Sequence, residues 1–187
     1  MSMRQPRAGI FALAVLVASA AGGEEPAKLA MPGPEAKNLM LGKWEIRVKY
    51  EPSPEMPKGG TATGREVWSA GPAGRSVLED YEEWGTAGEY RGHGAAWWDE
   101  KAGGERVVWC DSQIPAGCEV SKSVAHWEGN SLVYTEETEE NGRKGVRQEI
   151  FTEITPTSFT QYLKAGPSLS QLKTTVTIHA TRVPPPK

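Results

Sequence analysis

Apolar and polar residues alternate most regularly in the segment from Leu41 to Tyr50. A period of two is typical of a β-strand that buries one face and exposes the other. The segment therefore predicts a half-buried strand, with one face formed by Trp44, Ile46, Val48 and Tyr50 and the opposite face formed by Glu45, Arg47 and Lys49.

Turn signals recur along the rest of the chain at intervals of roughly 10–15 residues, which is typical of an all-β domain. Asn141-Gly142 is the strongest of them, because this dipeptide favours a two-residue hairpin turn. The segment from Pro34 to Leu41 predicts one or two helical turns, with Pro34 at the first helical position. The predicted strands lie near 43–50, 60–69, 75–84, 88–98, 105–111, 118–127, 131–138, 144–154, 158–164 and 172–183.

Strands that follow one another without a covering helix expose sheet edges, and closure into a barrel removes those edges. The predicted fold is therefore all-β: a single antiparallel up-and-down β-barrel of about ten strands, with a short N-terminal helical turn. A sandwich of two sheets is the structural alternative.

The first residues have the pattern of an export signal, with Arg4 and Arg7 before an apolar run and a small-residue cleavage site after it. The predicted division is a signal peptide at 1–21, a flexible leader at 22–35, a barrel domain at 36–183 and a tail at 184–187. The apolar run is shorter than the roughly 20 residues of a membrane span. We expect a periplasmic or secreted protein whose mature chain has no transmembrane segment. An uncleaved N-terminal anchor is the alternative.

The charge of the chain excludes one class of partner. The formal net charge is −3, and the sequence has no cluster or stripe of Lys and Arg. Binding of nucleic acid needs such a basic surface, so no nucleic-acid partner is predicted.

Cys110 and Cys118 form a close pair with Pro115 and Gly117 between them. In an exported protein, such a pair predicts a disulfide that clamps a turn between two strands and stabilises by roughly 2–3 kcal/mol. A redox-active pair is the alternative, although catalytic pairs usually lie two residues apart at the start of a helix.

Leu41-Gly42-Lys43-Trp44 at the first strand and Arg182 near the end of the last resemble a motif of the lipocalin-like (calycin) superfamily. The resemblance implies that Arg182 lies over Trp44 and closes the barrel floor, a cation–π contact of about 1–2 kcal/mol. The chain is also similar to a bacterial family of lipocalin-like domains of unknown function, in the segments 73–75, 92–99 and 109–112. That family has Gly where this chain has Ala73, and it implies an architecture without an assigned activity.

The predicted strand from 77 to 84 decides what kind of interior the barrel has. One face holds Val77, Glu79, Tyr81 and Glu83, and the other holds Leu78, Asp80, Glu82 and Trp84. Either face brings two acids inward, which a dry core does not accept. The interior is therefore wet and polar, or a β-bulge switches the two faces midway.

The favoured function is non-covalent binding of a small molecule inside the barrel. Gly92 and Gly94 either leave room for that ligand or let the strand bend at a barrel corner. Aromatic rings can stack on a flat ligand, and carboxylates can hold a polar or cationic group. The candidate ligand-binding residues are Trp68, Glu79, Tyr81, Tyr90, Trp98 and Trp109. A structural or protein-binding envelope barrel with no ligand is the alternative.

The sequence contains none of the common hydrolase, metalloprotease or phosphate-loop motifs. His93, His126 and His179 lack metal-ligand spacing, so no metal site and no cofactor are predicted. Haem would need His179, which faces outward if Arg182, three residues away, faces inward. An enzyme would have to use a cavity acid such as Glu79 or Asp80, without a nucleophile and base to accompany it.

Overall fold

The computed structural model describes residues 28–113, 117–140 and 142–185. The predicted signal peptide at 1–21 lies outside these residues. Besides two single-turn 3-10 helices, Pro72–Gly74 and Leu169–Gln171, the described chain forms one short α-helix and eleven strands. They are α1 (Ala36–Met40), β1 (Gly42–Tyr50), β2 (Gly60–Ala70), β3 (Ser76–Gly85), β4 (Gly88–Asp99), β5 (Gly104–Asp111), β6 (Cys118–Val120), β7 (Ala125–Glu128), β8 (Ser131–Glu140), β9 (Arg143–Thr152), β10 (Ser158–Gly166) and β11 (Lys173–Arg182).

The strands close into an antiparallel barrel. The strands from β1 to β5 pair in chain order, and so do the strands from β7 to β11. The pairing of β5 with β7 joins the two sets. The first strand then pairs with the last, which completes a ring of ten strands, and β6 adds to the edge of β5. The predicted up-and-down barrel is confirmed and the sandwich alternative is wrong. Within the described residues, no helix is long and apolar enough to cross a membrane.

The alternating pattern that predicts β1 also sets its buried face. Trp44, Ile46 and Val48 are at most 3% exposed, while the residues between them face solvent. Opposite them on β11, Ile178 and Ala180 are also buried. Burial of these apolar side chains stabilises the folded barrel, because it removes their surface from water.

The predicted strand at 118–127 is wrong as one element, because it is broken into β6 and β7. Between them, the Ser121 hydroxyl donates to the main-chain oxygen of Ser123 at 3.0 Å and accepts from its N–H at 3.2 Å. Such local side-chain bonds compete with a sheet ladder. β7 therefore pairs with β8 only from Ser131 to Tyr134, and a turn rather than a continuous strand precedes it.

The described part of the predicted flexible leader, residues 28–35, packs against the barrel. Leu29 and Met31 are buried in the core, and the N–H of Ala30 donates to the oxygen of Gly74 at 2.9 Å. The helix begins at Ala36 rather than at Pro34, whose oxygen accepts from the N–H of Lys37 at 3.0 Å. These described residues therefore form part of the barrel floor.

The turn between β2 and β3 has two consecutive residues with left-handed backbone angles. Ala73 has φ 55° and Gly74 has φ 66°. A Cβ atom at Gly74 would lie 2.7 Å from the oxygen of Lys28, so this glycine lets the leader approach. Ala73 adopts its conformation with a Cβ present, which costs about 1–2 kcal/mol.

The predicted disulfide is confirmed. Cys110 on β5 and Cys118 on β6 are directly opposite in the ladder and are bonded. Trp109 and Asp111, the two neighbours of Cys110 on β5, line the cavity. Since side chains alternate along a strand, Cys110 lies on the outer face. The bond joins the short strand β6 to the wall of the barrel.

Candidate functional site

The barrel encloses a cavity of about 550 Å³. Its floor is at the end of the barrel where β1 begins, and its mouth is at the end where β1 stops. The helix α1 contributes Lys37 and Met40 to the floor, and strands on all sides contribute the wall. The cavity is the place where the described residues can hold a small molecule.

Below the cavity, Arg182 closes the floor over Trp44. The guanidinium carbon lies 4.0 Å from the centre of the Trp44 ring. The same guanidinium donates to the main-chain oxygens of Leu41 at 2.8 Å, Pro156 at 2.5 Å and Leu39. The Trp44 indole N–H donates to the oxygen of Met40 at 2.8 Å. Together these bonds fasten α1, β1 and β11 to one another.

A buried ion pair also lies in the floor. Lys37 donates to Glu105, and both side chains are at most 5% exposed. The Trp127 indole N–H donates to the same carboxylate oxygen at 2.9 Å. Burial lowers the pKa of Lys37, and the neighbouring Glu105 carboxylate acts in the opposite direction. The cavity lining has two cationic side chains, Lys37 and Arg147, and the first of them is paired with Glu105.

The strand β3 keeps one inner face along its whole length. Val77, Glu79, Tyr81 and Glu83 line the cavity. The ladders of β3 with β2 and with β4 both run without a register shift. The bulge alternative is therefore wrong, and the interior is polar.

Three carboxyl groups and one amide meet inside the cavity wall, and we call them the carboxyl cluster: Glu66, Glu79, Glu149 and Gln161. The side chains of Glu79 and Glu66 are hydrogen-bonded to each other, which requires one proton between the two carboxyl groups. The Trp68 indole N–H also donates to Glu66. The amide nitrogen of Gln161 donates to Glu149.

Burial is the main reason that the carboxyl cluster holds protons. It raises the pKa of Glu66 to about 7, although the bonds from Glu79 and Trp68 act in the opposite direction. It raises the pKa of Glu79 well above its usual value, and the charges of Glu66 and Glu149 add to the effect. Burial also raises the pKa of Glu149, against the bond from Gln161 and the charge of Arg147. Near neutral pH the cluster is therefore only partly ionised.

A second carboxylate is held by two phenols nearer the mouth. Glu83 accepts from the hydroxyl of Tyr81 at 2.6 Å and from that of Tyr50. Burial and these bonds raise the pKa of both tyrosines, so both stay protonated. The arrangement fixes the Glu83 carboxylate with its charge facing a polar interior.

An aromatic wall is built on two glycines of β4. A Cβ atom at Gly92 would lie 2.0 Å from the ring of Trp109, and one at Gly94 would lie 2.6 Å from it. The two glycines therefore make room for the Trp109 indole. The indole N–H donates to the Tyr90 hydroxyl at 2.8 Å, which donates to Asp111 at 3.0 Å. Tyr81 packs edge-on against both rings.

Five of the six predicted ligand-binding residues line the cavity, namely Trp68, Glu79, Tyr81, Tyr90 and Trp109. The sixth, Trp98, is not part of the cavity lining. This residue lies at the floor end of β4 opposite Glu105 and packs against the core instead of lining the cavity. The alternation of faces along β4 predicts an inward-facing Trp98. At that end of the barrel, however, the interior is filled by the side chains of the floor.

Sequence reasoning missed the ion pair of Lys37 and Glu105 and three members of the carboxyl cluster, Glu66, Glu149 and Gln161. Glu66 lies two residues before the buried Trp68, and Glu149 lies two residues before the buried Phe151. The period of two on each strand could have found both acids. No comparable signal connects Lys37 with Glu105.

The histidines lie on the outside of the barrel. His93 contacts Asp80 at 2.6 Å, and His179 contacts Thr160 at 3.2 Å. Asp80 therefore faces outward and is not available as a cavity acid. His179 therefore faces away from the cavity and is not placed to bind haem inside it. Among the residues that the structure describes, no three side chains form a group able to hold a metal ion.

The wall of the cavity carries a strong excess of acidic groups. Its lining includes seven carboxyl side chains, on Glu79, Glu83, Glu105, Asp111, Glu119, Glu136 and Glu149, and two cationic ones, on Lys37 and Arg147. Lys37 is paired with Glu105, and Arg147 lies directly opposite Glu136 in the ladder of β8 and β9. The electrostatic character of the interior is therefore anionic.

The chain matches no model of a known protein family and no curated protein. It is similar in structure to Rv2717c from M. tuberculosis, with a TM-score of 0.52 and 14% identity over 80% of this chain and 96% of that one. Two designed proteins resemble it less. A de novo fluorescence-activating β-barrel has a TM-score of 0.43 and 11% identity over 81% of this chain and 100% of that one. A redesigned β-barrel has a TM-score of 0.44 and 13% identity over 84% and 100%. The likeness to Rv2717c agrees with the β-barrel fold that the ladders define.

Proposed function

We propose that this protein is an exported barrel of the lipocalin-like (calycin) type that binds a small molecule non-covalently in its cavity. The observation that carries the proposal is the enclosed cavity of about 550 Å³. Ligand-binding cavities in proteins typically measure about 300–1,000 Å³ and combine apolar walls with a few placed polar groups. A barrel with a purely structural role has no need to leave this volume unfilled.

Two features support the finer parts of the proposal. The contact of Arg182 with Trp44 at the floor fits the superfamily that the sequence motif resembles. The disulfide between Cys110 and Cys118 fits an oxidising compartment, as does the signal-like pattern at 1–21. Intact mass of the protein from the cell envelope tests export, because removal of the signal peptide shortens the chain by a defined mass.

The test of ligand binding is native mass spectrometry of protein purified from its own envelope with the disulfide intact. We expect a discrete additional mass that is lost when the protein is denatured. A matched pair of variants locates the ligand. Ala96→Phe fills the cavity from β4 and is expected to lose the additional mass, whereas Thr63→Phe adds the same ring to the exposed face of β2 and is expected to keep it.

Two results would contradict the proposal. One is a wild-type mass equal to that of the chain alone, together with no rise in melting temperature across a broad collection of small molecules. The other is an additional mass that survives in Ala96→Phe, provided that circular dichroism shows this variant to be folded. Either result would favour a structural or protein-binding barrel.

A further inference from the structure

The cavity's polar groups favour a positively charged occupant. Carboxyl side chains outnumber cationic ones by seven to two in its lining. Both cationic side chains already lie beside carboxylates, Lys37 with Glu105 and Arg147 opposite Glu136. A bound cation would offset this excess of negative charge in a space of low dielectric constant, whereas a neutral or anionic ligand would not.

A buried acceptor without a donor marks where the charge of the occupant would lie. Gln161 is 6% exposed, and its amide nitrogen is oriented by the bond to Glu149. Gln161 lines the cavity, and its buried amide oxygen, like Oε2 of Glu66, has no hydrogen-bond partner among the described residues. Buried polar atoms are nearly always paired, so this oxygen calls for a donor from a bound molecule.

The aromatic side chains favour the same kind of ligand. Tyr81, Tyr90 and Trp109 form one edge-to-face group beside the acids of β3, and Trp68 lies next to Glu66. Aromatic faces attract cations and also pack against the apolar body of an organic molecule. A ligand that carries a cation at one end of an apolar body would satisfy both parts of the wall.

We propose that the cavity binds a small organic cation with a protonated primary or secondary amine. The ammonium N–H groups donate to the amide oxygen of Gln161 and to the carboxyl groups of Glu79 and Glu149, while the apolar body lies against the aromatic wall. This inference rests on the proposed small-molecule binding and names the chemical class of the ligand.

Binding of the ammonium group replaces the proton that the carboxyl cluster holds when the cavity is empty. The pKa of Glu79 lies well above its usual value, so this proton must leave for the cation to bind a carboxylate. Affinity for the amine should therefore rise with pH until the amine itself loses its charge. The ionisable groups that raise the pKa of Glu79 are Glu66 on β2, Glu149 on β9 and, least of the three, the outward-facing Asp80 on its own strand.

The test is calorimetric titration of the full mature protein with three naphthalene probes of one shape: naphthylmethylamine, naphthylmethanol and naphthoate. We expect the amine to bind about tenfold or more tighter than the alcohol, and the carboxylate to bind most weakly. The advantage of the amine over the alcohol should grow between about pH 6 and about pH 8, where the amine stays protonated.

Variants on adjacent positions of β3 supply the matched control. Glu79→Gln keeps the shape of the side chain and is expected to remove about tenfold of the affinity for the amine, leaving the alcohol unchanged. Asp80→Asn, which changes an outward-facing carboxylate, is expected to change neither. If Glu79→Gln does not fold, Glu149→Gln tests the same cluster from the opposite side of the barrel.

The outcomes separate this inference from the function on which it rests. An amine that binds no more tightly than the alcohol would overturn the cationic class, while binding of the alcohol would still support a ligand-binding barrel. Absence of binding by all three probes would also overturn the inference, and native mass spectrometry would then decide the proposed function alone. Retention of amine affinity in folded Glu79→Gln and Glu149→Gln would contradict the assigned site.

Discussion

Glu66→Gln is expected to stabilise the barrel above neutral pH and to leave it nearly unchanged in acid. Glu66 is fully buried, and burial raises its pKa from 4.5 to about 7. The folded protein therefore holds one more proton at this site than the unfolded chain does between these values. Since the folded state binds more protons there, the free energy of unfolding falls as the pH rises through this window.

The size of the effect follows from the difference between the two pKa values of Glu66. Each pKa unit corresponds to about 1.4 kcal/mol, so ionisation of Glu66 costs the folded state about 3 kcal/mol by about pH 8. Glutamine keeps the shape of the side chain, can accept from Trp68 and can donate to Glu79. The variant should therefore remove the electrostatic cost without opening a cavity.

The assay is urea unfolding of the oxidised protein, followed by tryptophan fluorescence at a series of pH values. We expect the difference in unfolding free energy between Glu66→Gln and wild type to grow from near zero at about pH 4.5 to about 3 kcal/mol at about pH 8. Glu45→Gln, on the exposed face of β1, is the matched control and is expected to show no such growth. A difference for Glu66→Gln that stays constant across the series would refute the reasoning.

Three further substitutions test the wall, the floor and one turn. Gly92→Ala pushes a Cβ atom into the Trp109 ring, and we expect a loss of roughly 1–3 kcal/mol in urea unfolding with an altered near-ultraviolet circular dichroism spectrum; an unchanged spectrum would contradict the packing. Arg182→Met removes the contact with Trp44 and three bonds to main-chain oxygens, and calorimetry should show a loss of about 2–4 kcal/mol; a loss under about 0.5 kcal/mol would argue against this role. Ala73→Gly relieves a left-handed conformation at the cost of unfolded-state entropy, so urea unfolding should show a net gain of roughly 0.5–1 kcal/mol, and equal or lower stability would count against it.

The positions of the strands could be predicted because each buried face repeats with a period of two. The segment that begins at Trp44 has one apolar and one charged face, so its orientation was also predictable. The segment from Val77 to Trp84 carries two acids on each face. Its alternation of apolar and polar residues therefore could not decide which face is buried. Its ladders with β2 and β4 decide this, and those depend on partners distant in the sequence.

The candidate site was predictable only in part, because it is assembled from strands on different sides of the barrel. Trp109 and Tyr81 were found from their own strands. The meeting of Glu79 with Glu149 and Gln161 depends on how the barrel curves, which no local pattern contains. The break after Val120 was missed as well, since Ser121 and Ser123 satisfy each other's polar groups without a glycine or proline to mark the turn.

The pairing of β1 with β11 has a consequence for how the protein unfolds. Every other ladder of the described barrel joins strands that lie close together along the chain, whereas this one joins the two ends of the domain. Closing it carries the largest loop entropy, so it is expected to form late in folding. The contact of Arg182 with Trp44 lies on this seam. Substitutions there should therefore shorten the lifetime of the folded barrel while leaving its folding rate almost unchanged.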